Sequence, residues 1–412
     1  MRALVFGVRP EPQPIPESDN PLLTALARTP MRLDGAFPDP DFLLDDWVVL
    51  RPRLTGICGS DSKQVFMDWN ESTRSPDNPT RGWFSMPQVL GHEVVADVVA
   101  LGPAAHGVEI GDRVVLDPWL TCAPRGVDPV CPACAAGDLT FCESFAVPPI
   151  APGIHTGTSR DATGGWADLM PAHVSMLHPV PETVSDELAV FADPFAVSMH
   201  GVLHHPPLPG SKALVYGAGA LGSAAIAVLR ALYPDVEVGV VARFEAQAQL
   251  ARTLGAAKVF EHEPVHDLIE QIADWSGGIL HGTHELPMAY PGGIDVVYDT
   301  ISRKESLEVS VRVLKQHGHM VKLGVHGPCK WDWTPMYFKE ISWTGSNAFG
   351  IETIDGVRKH AIDHYLDLVA SGRVDLGPML THTFPLDDWR TAFAALADQA
   401  NSGAVKVAID QR

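Results

Sequence analysis

Apolar and polar positions change rhythm twice along this 412-residue chain. Up to about residue 184, short apolar runs broken by glycine and proline predict strands and loops. From there to about residue 338, helical spacing alternates with brief continuous apolar runs, and beyond that a mixed pattern returns. Candidate strands at 212–216, 236–242, 296–299 and 319–323 alternate with candidate helices at 223–232, 246–254 and 304–313, and a further helix is expected at 194–203. Strands separated by helices predict an α/β doubly wound parallel sheet. Proline-rich stretches at 10–16 and 38–40 predict an inserted excursion within 10–45, and the segments 62–90 and 275–293 read as further insertions, the last a surface loop or lid.

The cysteines change this picture most. Four of six lie at Cys122, Cys131, Cys134 and Cys142, spaced x8, x2 and x7. A pair two residues apart can wrap one tetrahedral ion, and the flanking cysteines complete it if the loop folds back, as Pro129, Pro132 and Gly137 permit. Two disulfides are the alternative. The opening MRALVFG does not read as a signal peptide, which predicts a cytoplasmic, reducing location and argues against them. A fifth cysteine, Cys58 in GICGSD, precedes His92 and Glu93 by 34 and 35 positions. A closed four-thiolate set and an open Cys/His/carboxylate set are the two ways Zn²⁺ is held for structure and for catalysis.

An apolar strand ending in Gly217-Ala218-Gly219-Ala220-Leu221-Gly222 runs into an alanine-rich stretch. A dinucleotide pyrophosphate needs a tight turn, close backbone approach and a helix N-terminus, in that order. A glycine turn without a ligand is the bland alternative. At the end of the next strand stand Ala242 and Arg243 where an NAD-binding chain usually carries an acidic residue. This favours NADP over NAD, although Glu245 offers a ribose ligand if the turn is shifted, and Arg243 has the alternative of stacking on adenine.

Composition narrows the classes. A formal charge of −20 disfavours nucleic acid and anionic membranes as partners, and no apolar run approaches the length of a membrane span. The length and 46% hydrophobic content suit two domains.

Together the segments GICGSD, GHEVVADVVALG, GDRVV, the cysteine lobe, GGWADLM, DPFAVSMHGV, the glycine turn, GIDVVYDT and GAVKVAI resemble the zinc-dependent medium-chain dehydrogenase/reductase superfamily of alcohol and polyol dehydrogenases. That resemblance implies a mostly-β GroES-like catalytic domain, 1–193 and 339–412 with a structural zinc lobe at 119–145, around a Rossmann domain at 194–338. It implies two zinc ions per chain, NADP or NAD, a small alcohol or carbonyl substrate, and a homodimer or homotetramer. It also implies site roles. Cys58, His92 and Asp193 would hold the catalytic zinc, with Glu93 an exchangeable carboxylate; for Asp193 the alternative is a helix N-cap before Pro194. Ser60 would contact the substrate oxygen and start a proton relay, Asp61 would orient His92, and Lys406 would lie near the cofactor phosphates. Trp69, Trp83, Phe84, Trp119 and Trp166 lie in segments that line the substrate cleft of relatives, and the pairs His204/His205 and His317/His319 are expected to pack or face solvent. The rival readings are a zinc-free quinone or alkene reductase of the same superfamily and a non-catalytic nicotinamide-binding module.

Overall fold

The computed structural model describes residues 1–15, 17–68, 82–261, 264–282, 286–325 and 329–412. Pro16, Trp69 and parts of the expected insertions at 62–90 and 275–293 lie outside them.

The chain divides into two compact units, one of 1–193, 349–371 and 380–412, the other of 194–348 and 372–379. In chain order the strands are β1 (Ala3–Phe6), β2 (Met31–Asp34), β3 (Trp47–Gly56), β4 (Gln88–Val89), β5 (Glu93–Leu101), β6 (Arg113–Leu116), β7 (Met170–His173) and β8 (Leu177–Pro179). In the second unit follow β9 (Lys212–Tyr216), β10 (Glu237–Ala242), β11 (Lys258–Glu261), β12 (Leu280–His281), β13 (Met288–Ala289), β14 (Ile294–Asp299), β15 (Leu314–Lys322) and β16 (Ser342–Gly345). The chain then returns to the first unit with β17 (Ile351–Ile354), β18 (Val357–His360), β19 (Leu380–Pro385) and β20 (Lys406–Asp410).

The first unit is mostly β. Its larger sheet runs β19-β20-β3-β5-β6-β8, with β7 also on β3, and a smaller sheet runs β2-β1-β4. The long central β3 is buried along nearly its whole length, with Arg51 exposed and Arg53 half-buried, and Trp47, Val48, Leu50, Val94, Val98 and Val114 form one core. The insertion near the N-terminus is not merely a loop. It contains the helix Pro21–Arg28, started by the Asn20 side chain accepting the Leu22 N–H at 3.0 Å and by proline at the first position. Nothing but a short apolar repeat among prolines announces this helix.

The second unit carries the parallel six-stranded sheet β11-β10-β9-β14-β15-β16. Its inner strands are near-continuous apolar runs because helices cover both faces. The helix Val265–Ser276, absent from the expectations above, supplies Leu268, Ile269 and Ile272 to that core. The segment expected as a lid holds the two-residue antiparallel pair β12/β13. This unit extends to Ala348 rather than to 338, because β16 pairs with β15 through His319↔Ser342 and its neighbours. Residues 372–379 also belong to it, not to the returning segment.

Candidate active site and metal centres

Cys58 lies two residues past the end of β3 and is the N-cap of the short helix Gly59–Val65, so its side chain leaves the sheet at a fixed turn. Asp61, in the first turn of that helix and buried, accepts the Cys58 N–H on Oδ2 at 3.1 Å, and its Oδ1 lies 3.4 Å from His92 Nδ1. One carboxylate therefore orients both residues and leaves the other imidazole nitrogen for an ion. His92 and Glu93 sit where the chain enters β5, and Cys58, His92 and Glu93 bring donor atoms within 4.8 Å of one another. Burial opposes charge on His92, yet neighbouring Asp61 and Cys58 outweigh it and hold its pKa well above the ordinary value. A sulfur, an imidazole and a carboxylate brought this close are a donor set that fits a divalent zinc ion.

Glu93 is neutralised from the other side. Lys406 on β20, buried, forms an ion pair with Glu93 Oε2, and burial, which would lower its pKa, is overcome by Glu93 and Cys58. Lys406, expected near the cofactor phosphates, is enclosed with the carboxylate it neutralises. Gly56 makes the arrangement feasible, since any Cβ there would collide with the Glu93 carboxylate.

Asp193 is also buried, and its carboxyl is pushed up to about 7, first by burial and further by Glu93 and Asp117, against the pull of His92 and Lys406. It stands outside the tight three-residue group. Nor is it an N-cap, because the helix Ala192–His204 starts one residue earlier and takes Asp193 into its first turn. Ser60 is exposed on the helix that Cys58 caps.

Beside His92 lies a wall in which Trp83 and Trp119, expected in a substrate cleft, are joined by His155 and Phe145, which the sequence did not single out. The His155 ring is 4.6 Å from that of His92 and 6.0 Å from that of Trp119, and Phe145 packs on both Trp119 and Trp83, at 5.9 and 6.4 Å. His155 Nδ1 lies 2.7 Å from the Thr156 carbonyl and donates to it, which leaves Nε2 as an acceptor. A lone histidine in a glycine-rich loop has no spacing signal; only the bridge between Trp119 and His155 brings it here. Trp166, in contrast, is fully buried core against Phe393 and is no part of this wall. His205 stacks on His319 at 4.2 Å, while His317 is exposed.

All six cysteines are free. The four of the lobe bring their sulfurs within 4.8 Å of one another, and Cys122 Sγ lies 3.6 Å from Cys142 Sγ. That separation is close to the edge of a tetrahedron with Zn–S bonds of about 2.3 Å, roughly 3.8 Å. Backbone amides already serve the thiolates: Cys131 N–H donates to Cys122 Sγ at 3.3 Å and Ser144 N–H to Cys142 Sγ at 3.3 Å. Despite the opposing effect of desolvation, amide and thiol hydrogen bonds lower Cys131 to about 7.

In the second unit, β9 is followed by Gly217, whose φ of 97° lies in the left-handed region. Gly219 is the N-cap of the helix Ala220–Leu232, and a Cβ there would meet nothing within 4 Å, whereas one on Gly222 would strike the Gly217 carbonyl. The turn is thus closed on its inner side and open at the helix N-terminus, with Ala220 and Leu221 presenting free amides, as a pyrophosphate requires. Ala242 is buried at the end of β10; Arg243 is exposed, 5.3 Å from the Phe244 ring centroid, and Glu245 pairs with Arg252 at 3.4 Å.

Two outcomes follow from this geometry. Cys131→Ser should lower the zinc content of the purified protein by one ion per chain and lower its melting temperature, because a closed site contributes folding free energy directly; unchanged zinc by elemental analysis would contradict the four-thiolate assignment. Lys406→Met should leave Glu93 buried and unpaired, at a cost of about 3–5 kcal/mol in urea unfolding. Its NAD(P) affinity by titration should stay within about twofold, where a phosphate-binding lysine would lose about tenfold or more.

Residues 44–182 match the alcohol dehydrogenase GroES-like domain family and residues 220–366 the zinc-binding dehydrogenase family. The chain is similar to L-threonine 3-dehydrogenase of Pectobacterium carotovorum, at 27% identity over 91% of this chain and 95% of that protein. Its fold is similar to that of 2R,3R-butanediol dehydrogenase from Bacillus subtilis, with a TM-score of 0.72, 19% identity and coverage of 100% and 99% of the two chains. Galactitol-1-phosphate dehydrogenase from Escherichia coli gives a TM-score of 0.71 at 17% identity, covering 100% of both chains. With a GroES-like sheet bearing the Cys/His/carboxylate and four-thiolate sets and a Rossmann sheet bearing the glycine turn, the chain belongs to the zinc-dependent medium-chain dehydrogenases/reductases and is an alcohol oxidoreductase.

Proposed function

We propose that this chain interconverts a secondary alcohol of polyol, sugar or amino-alcohol type and its carbonyl, with NADP(H) preferred. The observation that carries the reading is the joint orientation of Cys58 and His92 by Asp61 beside a neutralised Glu93. In this proposal Cys58, His92 and Asp193 hold the catalytic zinc, and the raised Asp193 carboxyl becomes anionic in answer to the ion's charge. Zinc, when bound, polarises the substrate oxygen, and the nicotinamide takes or gives hydride at the carbinol carbon. The chain's own residues do the rest. Ser60 passes the alcohol proton toward solvent from an exposed helical turn, and Glu93, with Lys406 able to reclaim it, serves as an exchangeable carboxylate. Four thiolates at Cys122, Cys131, Cys134 and Cys142 hold the second zinc.

The wall beside His92 supports a substrate with more than one polar group. Trp119 and Phe145 offer apolar surface, while His155 Nε2 is an acceptor for a hydroxyl or ammonium next to the reacting carbon. Curated relatives named for L-threonine fit such a vicinal amino alcohol. The NADP preference rests on exposed Arg243 following buried Ala242. A homodimer or homotetramer suits the second unit, where β16 is a sheet edge near exposed Trp333, Tyr337 and Phe338. Six free thiols suit a reducing cytoplasm, and no helix among the described residues is long and apolar enough to cross a membrane.

Turnover of a panel of diols, sugars and amino alcohols, followed by nicotinamide absorbance, tests the substrate class. His92→Ala should abolish it with loss of zinc, whereas Ser60→Ala should keep both metals and cofactor binding and lose about 10²-fold in kcat. Full activity in Ser60→Ala would remove the relay, and a zinc-free wild type would favour the quinone or alkene reductase reading. For the cofactor, Arg243→Ala should weaken NADP by roughly 10–100-fold and barely change NAD. Equal loss of both would mean that the guanidinium stacks on adenine, and a wild-type preference for NAD would point to Glu245.

A further inference from the structure

A second open donor set lies in the first unit and shares no residue with the two zinc sites above. Asp117 follows β6, His178 is in β8 opposite Val115 of β6, and His360 ends β18 as the N-cap of the helix Ala361–Ala370. Their donor atoms lie within 4.8 Å of one another. The three side chains are only 6%, 10% and 7% exposed. The rings of His178 and His360 are nearly parallel, 4.3 Å apart and inclined by 26°; among the described residues His178 Nε2 has no hydrogen-bond partner, and His360 Nε2 has only the carboxylate of Asp117 in reach.

Bonding around the cluster assigns the free lone pairs. Asp117 uses Oδ1 to accept the Trp119 N–H at 3.2 Å, which leaves Oδ2 facing His360 Nε2 at 3.3 Å. His178 Nδ1 donates to Asp363 Oδ1 at 2.7 Å, so the imidazole proton is on Nδ1 and Nε2 is a buried acceptor. A carboxylate fixing one nitrogen while the other is presented bare is the arrangement that prepares histidine for a metal. His360 Nδ1 takes the Ile362 N–H in a long 3.3 Å contact. Its proton is therefore on Nε2 in this arrangement, and to offer Nε2 to an ion the ring would take the other tautomer and give up that long contact. Two stacked imidazoles and two carboxylates, all but Asp363 buried, otherwise leave polar atoms unsatisfied in the interior.

We propose that His178 Nε2, His360 Nε2 and Asp117 Oδ2 form a third metal site, for a borderline divalent ion of the Zn²⁺ or Co²⁺ class, with Asp363 orienting His178. Two nitrogens and one oxygen suit such ions, whereas Ca²⁺ and Mg²⁺ demand mostly oxygen ligands. The ion would tie β18 and the helix after it to the β6/β8 edge, a structural role.

The test counts metal in the full-length protein equilibrated with buffered micromolar Zn²⁺. The wild type should carry three ions per chain and His178→Gln two, with oxidoreductase activity within about twofold of wild type. The difference of one is read without reference to turnover, so it stands or falls independently of the proposed activity. Equal counts in the two proteins would overturn the site. Should His178→Gln fail to fold, Asp363→Asn keeps all three ligands and should weaken Co²⁺ binding at this site by about 10–100-fold, read from the cobalt absorption bands; unchanged affinity would overturn it equally.

Discussion

The buried pair between Glu93 and Lys406 governs much of the first unit. Glu93 starts β5 and Lys406 starts β20, and β3 runs between these two strands in the sheet. Two charges can be enclosed there only because they neutralise each other and because Gly56, opposite Glu93 in β3, has no side chain. Removing either partner would leave one ion in a low-dielectric interior. The pair fixes the register of the strand that delivers Cys58 against the strand that delivers His92, so the geometry of the metal ligands and the closure of the sheet are one problem.

The two donor sets are prepared differently. At the four-thiolate lobe, backbone amides donate to sulfur, so negative charge is partly met before any ion arrives. At the open set the compensation is by side chains, Asp61 on His92 and Lys406 on Glu93. Amides cannot move away, which suits a permanent ion. A lysine and a carboxylate can separate, which suits the exchangeable role proposed for Glu93.

Much of this was legible in the sequence because metal and phosphate sites need residue types at short, fixed spacings. The four cysteines, Cys58 with His92, and Gly217 to Gly222 are of this kind, and so are the inner parallel strands, whose apolar runs are set by burial on both faces. The pairing of Lys406 with Glu93 was not legible, since a lysine in an apolar strand gives no sign of its partner, and only the order β20-β3-β5 brings the two together. His155 and the Asp117/His178/His360 cluster are assembled from distant segments and leave no spacing to read. Helix 21–28 was hidden by its prolines, one of which starts it.

The returning segment explains why such distant residues meet. Its β17/β18 hairpin grips the cysteine lobe, with Arg358 donating to the Ala136 carbonyl and the Ile351 N–H to that of Gly137 at 3.0 Å. Gly137, at a φ of 93°, has no room for a side chain against Ile351. The hairpin also carries His360 to Asp117, and β20 then carries Lys406 to Glu93. Each of these contacts joins residues more than two hundred positions apart, so each demands closure of a long loop before it contributes anything. The second unit, built from neighbouring strands and helices, bears no such demand. The chain thus encodes a locally organised cofactor-binding half and a catalytic half whose ion-holding geometry is complete only when its last strand is in place.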